Sequence, residues 1–105
     1  SRTDRDRVPA TEVSVSVRVA GIDFDNVTYD READVLYLSR GAKRAAVDFD
    51  ASPEGHYLRY DSDGSLFGIT IVNARSIFER EGTIPITLPG RRVQADAVRD
   101  VLVGA

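Results

Sequence analysis

Two acidic segments hold the side chains best suited to chemistry, and the first begins at Asp30. Asp30, Glu32 and Asp34 stand at alternate positions, a spacing found at the start of calcium-binding loops. Such a loop needs a glycine at its sixth position and a bidentate glutamate at its twelfth. Val35 and Gly41 stand there instead. We therefore predict a structural turn that holds no metal.

The second acidic segment, residues 61–64, fails the same test. Asp61 and Asp63 begin it, but Gly64 is the fourth residue rather than the sixth, and no glutamate stands at the twelfth position. Aspartate is common in turns because its carboxylate accepts hydrogen bonds from nearby backbone N–H groups. We interpret both acidic segments as structural, and we predict no metal site.

His56 is the only histidine, so it is the only side chain that titrates near neutral pH without a perturbed environment. The segment Gly-Ser-Leu-Phe-Gly at residues 64–68 places its serine, Ser65, one position too early for a nucleophile elbow. We expect His56 to stand at the end of a strand and to hydrogen-bond a backbone group. No residue is assigned a catalytic role.

Paired carboxylates are the remaining route to acid–base chemistry. Asp23 with Asp25, and Asp48 with Asp50, each share one face of a strand. Carboxylates placed in this way usually point into water, and the sequence puts neither pair in a cleft. The glycines form neither a dinucleotide-binding fingerprint nor a phosphate-binding loop, so we expect no cofactor.

The composition indicates a soluble domain that binds neither nucleic acid nor membrane. The 105 residues carry a formal net charge of −3, whereas nucleic-acid-binding domains are typically basic. No apolar run approaches the roughly 18 residues of a membrane-spanning helix. The absence of cysteine excludes disulfides and zinc-thiolate sites. We expect a cytoplasmic protein.

Alternating hydrophobic residues predict a chain built mainly of strands. The valines at 13, 15, 17 and 19 alternate with polar residues, which predicts a single strand over residues 13–19. Similar reasoning predicts strands at residues 22–29, 35–39, 45–50, 56–60, 66–72 and 84–88. Together they form a mostly antiparallel sheet of about six strands, with the proline-bearing segment 84–88 at an edge. The hairpin 56–72 should be the most regular part, because Gly64 can supply the positive φ of its turn.

Two helices complete the prediction of an α+β fold. Asn73 can cap a short helix over residues 74–81, and Gly82 can end it. Apolar residues at positions 95, 98, 101 and 102 would lie on one face of a C-terminal helix near residues 95–103.

Two segments carry a resemblance to a known family. The first reads YDREADVLYL from residue 29, and the second reads YLRYDSDG from residue 57 and is closed by GI at residues 68–69. In order and spacing they resemble the domain of unknown function 2283 family over roughly residues 27–78. The resemblance implies a small prokaryotic β-rich domain with no established activity.

With no catalytic site, the expected function depends on assembly. Residues 1–11 form a charged N-terminal tail that is too polar to fold alone, ahead of a single domain at residues 12–105. The strand predicted at residues 13–19 has a weakly protected edge. Both features favour a homodimer or higher homo-oligomer, so we predict a small interaction or regulatory module.

Two alternatives to that module stay open. The family resemblance suggests an antitoxin-like protein that would partner a small toxin. A pocket formed between subunits would instead make the chain a ligand-binding protein or an enzyme.

Overall fold

The computed structural model describes residues 10–13, 16–42, 45–95 and 98–104. Within these ranges the chain forms ten strands and two helices, and their mostly antiparallel pairing agrees with the predicted α+β class. The predicted count of about six strands is therefore too low. In chain order the elements are β1 (Ala10–Val13), β2 (Val17–Val19), β3 (Ile22–Phe24), β4 (Asn26–Asp30), β5 (Val35–Ser39), β6 (Asp48–Ala51), β7 (Tyr57–Tyr60), β8 (Leu66–Val72), α1 (Ala74–Glu81), β9 (Ile84–Leu88), β10 (Arg91–Ala95) and α2 (Val98–Gly104).

Six strands form one antiparallel sheet in the order β1-β4-β5-β8-β7-β6. Because side chains alternate between the two faces of a strand, the pairing of Leu38 with Ile69, and of Ile69 with Leu58, places all three on one face. This inner face is buried on the central strands β4, β5 and β8, whereas its positions on the edge strand β6, Asp48 and Asp50, are exposed. Its buried residues are Val27, Tyr29, Leu36, Leu38, Leu58, Ile69 and Ile71.

A second layer covers the inner face. It consists of the hairpins β2–β3 and β9–β10 and the two helices, whose apolar side chains join the sheet in one core cluster. Each large aliphatic side chain buried in this way contributes about 1.5–3 kcal/mol of transfer free energy. The fully buried members are Val17, Val19, Phe24, Ala74, Ile84, Ile86, Val101 and Leu102.

The single strand predicted over residues 13–19 is wrong. Val13 lies in β1 and pairs with Val27 of the large sheet, whereas Val17 and Val19 lie in β2, whose one partner among the described strands is β3. Residues 14–15 lie outside the described residues. The valines at 17 and 19 are core residues and do not belong to an exposed edge.

A tight turn joins β2 to β3 and so forms the first hairpin of the second layer. Ala20 and Gly21 adopt φ values of 55° and 81°, which is the geometry of a two-residue hairpin turn. Arg18 and Asp23 face each other across this hairpin, with a 2.8 Å ion pair between Nε and Oδ1. The predicted strand 22–29 is likewise divided, since β3 belongs to this hairpin and β4 to the large sheet.

The C-terminal helix begins at Val98 rather than near residue 95. Residues 91–95 form β10 and pair antiparallel with β9 through a turn in which Gly90 has a φ of 86°. Ala95 is buried, as the helical pattern predicted, but it lies in strand β10 and not in a helix. Apolar spacing alone does not separate the end of a strand from the start of the helix that follows it.

Other predicted elements are confirmed. Helix α1 spans residues 74–81 and ends at Gly82, whose N–H donates to the Phe78 carbonyl at 2.7 Å with a φ of 76°. Pro85 lies in β9, which pairs only with β10 among the described strands. Strand β1 begins at Ala10, inside the predicted tail, and the rest of that tail lies outside the described residues.

The hairpin β7–β8 provides a test of the turn chemistry. Gly64 has a φ of 76°, so Gly64→Val should lower the free energy of unfolding by roughly 1 kcal/mol or more, because a β-branched residue tolerates this conformation poorly. Urea unfolding measures the change. Ser62→Val, in the same turn but at negative φ, is the matched control and should change stability less. Equal losses in the two variants would contradict the role given to Gly64.

Candidate functional site

The first acidic segment holds a helix in place. Asp34 ends the β4–β5 turn, and its carboxylate accepts hydrogen bonds from the first turn of α1. The backbone N–H groups of Arg75 and Ser76 donate to it at 2.7 and 3.2 Å, and the Ser76 hydroxyl donates at 2.9 Å. The Asp34 carbonyl also accepts the Ala74 N–H at 3.1 Å. Asp34 therefore caps a helix that begins 40 positions later in the chain.

The same carboxylate is tied to the sheet. The Tyr29 hydroxyl, which is buried beneath the turn, donates to Asp34 at 2.8 Å. Burial and this hydrogen bond raise the pKa of Tyr29 to about 12. Burial also acts to raise the pKa of Asp34, but the hydrogen bonds from Arg75, Tyr29 and Ser76 outweigh it and hold that pKa below its usual value. The carboxylate is thus ionised and fully engaged near neutral pH.

The sequence assigned the cap of α1 to the wrong residue. Asn73 precedes the helix but adopts a left-handed φ of 59°, and its side chain makes no capping hydrogen bond. Asp34 takes the role from a distant turn, with a left-handed φ of 57° of its own. A local pattern search cannot find such a cap, because the helix and the capping residue are separated by four strands.

The remaining acidic turn residues bond within their own turns. Asp30 Oδ1 accepts the N–H groups of Glu32 and Ala33 at 3.1 and 3.2 Å. Asp61 Oδ1 accepts those of Asp63 and Ser65 at 3.0 and 3.1 Å. These bonds agree with the interpretation of both segments as structural turns. Within the described ranges, no three acidic or histidine side chains come close enough together to hold a metal ion.

His56 lies at the start of β7, fully buried, and contacts the end of β8. Its Nδ1 accepts the Val72 N–H at 3.2 Å. This is the hydrogen bond to a backbone group that was predicted from the sequence. Nε2 therefore carries the proton, and among the described residues it meets no partner in hydrogen-bonding geometry. Burial lowers the pKa of His56, although the nearby Glu54 carboxylate and the Pro85 carbonyl act in the opposite direction.

The structure does not assemble a nucleophilic site around His56. Ser65 precedes β8 and His56 precedes β7, so they lie at opposite ends of the β7–β8 hairpin. The buried Ser52 is nearer, but its hydroxyl accepts the backbone N–H of His56 at 3.1 Å and does not address the imidazole. This arrangement positions a loop and offers no activated hydroxyl.

Glu54 fastens the same loop to the second layer. Its carboxylate accepts the Thr87 hydroxyl at 2.6 Å and the Thr87 N–H at 3.0 Å. Burial acts to raise the pKa of Glu54, but the hydrogen bonds from Thr87 and Ser52 prevail and lower it to about 2. Sequence reasoning missed this residue, since one glutamate in a loop has no distinctive pattern.

The predicted carboxylate pairs do not act as pairs. Asp23 is occupied by its ion pair with Arg18, whereas Asp25 accepts the Gly41 N–H at 3.2 Å. Asp48 accepts the N–H of its neighbour Phe49 at 2.9 Å. The fourth carboxylate, Asp50, lies near it on the inner side of the edge strand β6.

The face of the large sheet turned away from the second layer, which we call the outer face, carries exposed aromatic rings. Tyr37, Tyr57 and Phe49 are 41%, 52% and 65% exposed. Tyr37 and Tyr57 both pair with Thr70 from opposite sides, so they stand two strand spacings, or about 10 Å, apart. The sequence showed tyrosines in these strands but not that their face is bare. The outer face consists of Thr28, Tyr37, Phe49, Tyr57, Arg59, Gly68 and Thr70.

Arg59 forms the middle of the outer face and lies flat on it. Its guanidinium carbon is 5.5 Å from the centre of the Phe67 ring, within the range of a cation–π contact. Gly68 permits this position, because a Cβ there would lie 2.6 Å from Arg59 Nη2. The Arg59 side chain therefore lies along the outer face and does not project from it.

These features define a small α+β protein whose acidic turns are structural and whose open antiparallel sheet has one covered face and one bare aromatic face. Residues 26–75 match the model of the family described as "Protein of unknown function (DUF2283)". The match confirms the resemblance predicted for residues 27–78, and this part of the chain is a domain of that family. The searches found no significant match among curated proteins or solved structures.

The family match covers the strands and turns described above. It runs from the start of β4 into α1, so Asp34 and the helix that it caps both lie inside it. The family description names no activity. None of the helices in the described ranges is long and apolar enough to cross a membrane.

Removing the distant cap tests the role of Asp34. We expect Asp34→Ala to lower the free energy of unfolding by about 1–2 kcal/mol, because several backbone and hydroxyl donors lose their acceptor. Asp34→Asn should cost less, since asparagine keeps one acceptor and tolerates left-handed φ. Chemical unfolding followed by circular dichroism gives the values. Asp63→Ala, an exposed aspartate of the other turn, is the control, and a loss as large as that of Asp34→Ala would contradict the capping role.

The buried histidine predicts a pH dependence of stability. Because burial lowers the pKa of His56 below 6.5 in the folded chain, the unfolded chain takes up a proton first as the pH falls. The stability contributed by neutral His56 is complete above about pH 6.5 and is lost as the pH falls below it toward the folded-state pKa.

Urea unfolding between about pH 7.5 and 5.5 tests this dependence. The unfolding free energy of the wild type should decrease with falling pH across that window. His56→Gln should show a flatter profile, whatever its absolute stability. Parallel profiles for the two proteins would assign the pH dependence to other groups.

Proposed function

We propose that this protein is an interaction module that forms homodimers through the outer face of its large sheet. The observation that carries the proposal is the exposure of Tyr37, Tyr57 and Phe49 on the same face, on strands β5, β7 and β6. Large aromatic side chains left in contact with water lose the free energy that burial would provide. Their grouping on one face, opposite a fully packed one, distinguishes them from scattered exposed hydrophobics.

The chemistry of the outer face supports association with another protein. Tyrosine, phenylalanine and arginine are the residue types enriched at the centres of protein interfaces, and most charged residues are depleted there. Arg59 is the only charged residue at the centre of the outer face and is stacked flat, while Asp30 lies at the margin of the same side, at the end of β4. The acidic residues of the edge strand, Asp48 and Asp50, pair with inner-face positions instead.

The size of the outer face suits a modest dimer. Six strands at about 4.8 Å spacing and about five residues at 3.3 Å give roughly 400 Å² in projection. Two copies packed face to face would bury on the order of 1,000 Å² once the relief of the side chains is included, which is near the lower limit for a specific interface. Sheets that pack in this way keep their strands within about 30° of each other and form a sandwich.

This interface differs from the one that the sequence suggested. The expected bare edge at residues 13–19 does not exist as one strand, and Val17 and Val19 are core residues. The prediction of a homo-oligomer therefore moves from a strand edge to a sheet face. The predicted cytoplasmic location stays a prediction.

Sedimentation velocity on the full chain tests the proposal. We expect a dimer at high micromolar concentration. Tyr57→Arg should shift the protein to monomer, because it places a second charge at the centre of the interface without altering the core. Gln94→Arg is the matched control, since it adds the same charge to an exposed strand residue of the second layer, and it should leave the dimer intact.

A wild type that stays monomeric at high micromolar concentration would overturn the homodimer. A dimer that persists in Tyr57→Arg would place the interface elsewhere on the molecule. If the wild type is monomeric, the outer face would instead be available to a different protein, as the antitoxin-like alternative requires.

A further inference from the structure

A groove of about 670 Å³ lies between the edge strand β6 and the turn that joins β9 to β10. It opens where the second layer stops short of the last strand of the sheet. Its lining combines apolar and aromatic side chains with the carboxylates of β6 and with polar residues of the β7–β8 turn. The lining residues used below are Val47, Asp48, Phe49, Asp50, Tyr60 and Pro89.

The apolar part of the groove is exposed to an unusual degree. Val47 is 63% exposed and Phe49 is 65% exposed, although both belong to the segment that forms the edge of the sheet. Pro89 approaches from the β9–β10 turn and Tyr60 forms the floor. The Tyr60 hydroxyl is buried and has no hydrogen-bond partner among the described residues. A ligand that fills this groove would therefore gain contact with Val47, Phe49 and Pro89.

The carboxylates give the groove a definite charge. Asp48 and Asp50 stand two residues apart on the edge strand, so their side chains share its inner side. Burial, followed by the charges of Asp50 and Asp48, raises the pKa of Tyr60. Asp48 lies opposite Tyr60 in the β6–β7 ladder, and both carboxylates line the groove together with that tyrosine. Lys and Arg side chains combine an apolar stem with a cationic head, and that combination matches the groove.

The backbone at this edge is partly blocked. Asp48 accepts the N–H of Phe49, which removes one main-chain donor that an added strand would need. Recognition here therefore depends on side chains. A second copy of this chain is a poor occupant, because the protein carries a net charge of −3 and the groove is itself acidic.

We propose that this groove binds an extended basic segment of a different protein, with lysine or arginine side chains at alternate positions against Asp48 and Asp50 and an apolar residue against Val47 and Pro89. The alternation follows from the spacing of the two carboxylates along an extended strand. The aromatic rings of Tyr60 and Phe49 would add cation–π contact to the ion pairs. The groove shares Phe49 with the outer face of the proposed homodimer, but its carboxylates lie on the opposite side of β6, so the Asp48→Asn/Asp50→Asn and Tyr57→Arg variants test the two sites separately.

Fluorescence anisotropy with the full chain tests the groove. The probe is a labelled acetyl-Lys-Val-Arg-Val-Lys-amide peptide at about 50 mM salt, where screening is limited. We expect saturable binding. The double variant Asp48→Asn/Asp50→Asn should weaken it roughly tenfold or more, with the melting temperature showing that the variant still folds.

Matched controls separate the groove from general charge attraction. The double variant Glu32→Gln/Glu79→Gln removes the same charge from exposed sites outside the groove and should bind as the wild type does. Pro89→Arg, which places a cation in the groove, should weaken binding. The peptide Glu-Val-Glu-Val-Glu should not bind.

Three results would overturn the proposal. The first is no binding of the basic peptide at millimolar concentration. The second is equal loss of binding in the Asp48→Asn/Asp50→Asn and Glu32→Gln/Glu79→Gln variants, which would show diffuse attraction. The third is displacement of the peptide by spermidine at the same concentration as by unlabelled peptide, which would show a site for any polyamine. None of these results bears on the Tyr57→Arg test of the homodimer.

Discussion

The Asp34 carboxylate connects the two layers of this molecule, and much of the rest depends on that connection. It accepts hydrogen bonds from Tyr29 in the sheet and from the first turn of α1 in the second layer. Helix α1 has no side-chain cap of its own, so its start is fixed by the sheet and not by its own sequence. The position of α1 in turn sets where β9 begins, only two residues after Glu81. The acidic segment at residues 30–34, which resembles the start of a calcium-binding loop, thus helps to hold the two layers together through Asp34.

The second layer covers only the inner face of the large sheet, and the outer face differs from it in chemistry. The inner face is apolar on the central strands β4, β5 and β8, whereas the centre of the outer face mixes aromatic rings, threonines and one flattened arginine. A purely solvated face would carry more charge. The contrast with the acidic edge at Asp48 and Asp50 gives the molecule two surfaces of different chemistry. One is suited to an uncharged partner surface and the other to a basic segment.

The sequence predicted the fold most accurately where local chemistry decides the structure. The hairpin at Gly64, helix α1 and its end at Gly82, and the central strand β5 follow from alternation and from positive-φ glycines. The prediction from sequence failed where one alternating hydrophobic pattern spans strands that belong to two different layers. The alternating valines give no sign of where a strand leaves one sheet and enters another, and the spacing around Ala95 fits either a helix or a strand.

The candidate sites were less predictable than the fold. The acidic turns were predicted to be structural, but the capping of α1 by Asp34 needs a contact across about forty residues. Glu54 and its bonds to Thr87 depend on a loop meeting the second layer. The exposure of Tyr57 and the groove beside β6 depend on where that layer ends. Long-range placement of this kind is absent from any local pattern.

The central ladder of the sheet has a consequence for how the protein is made. Strand β5 pairs with β8, and Val35 lies opposite Val72, so half of this ladder is synthesised about thirty residues before the other half. At about 5–20 residues per second, the ribosome leaves the apolar β4–β5 hairpin without its neighbour for a few seconds. During that time the open side of β5 can pair with other nascent chains. The interval before β8 emerges is therefore the time for which one side of β5 lacks its native neighbour.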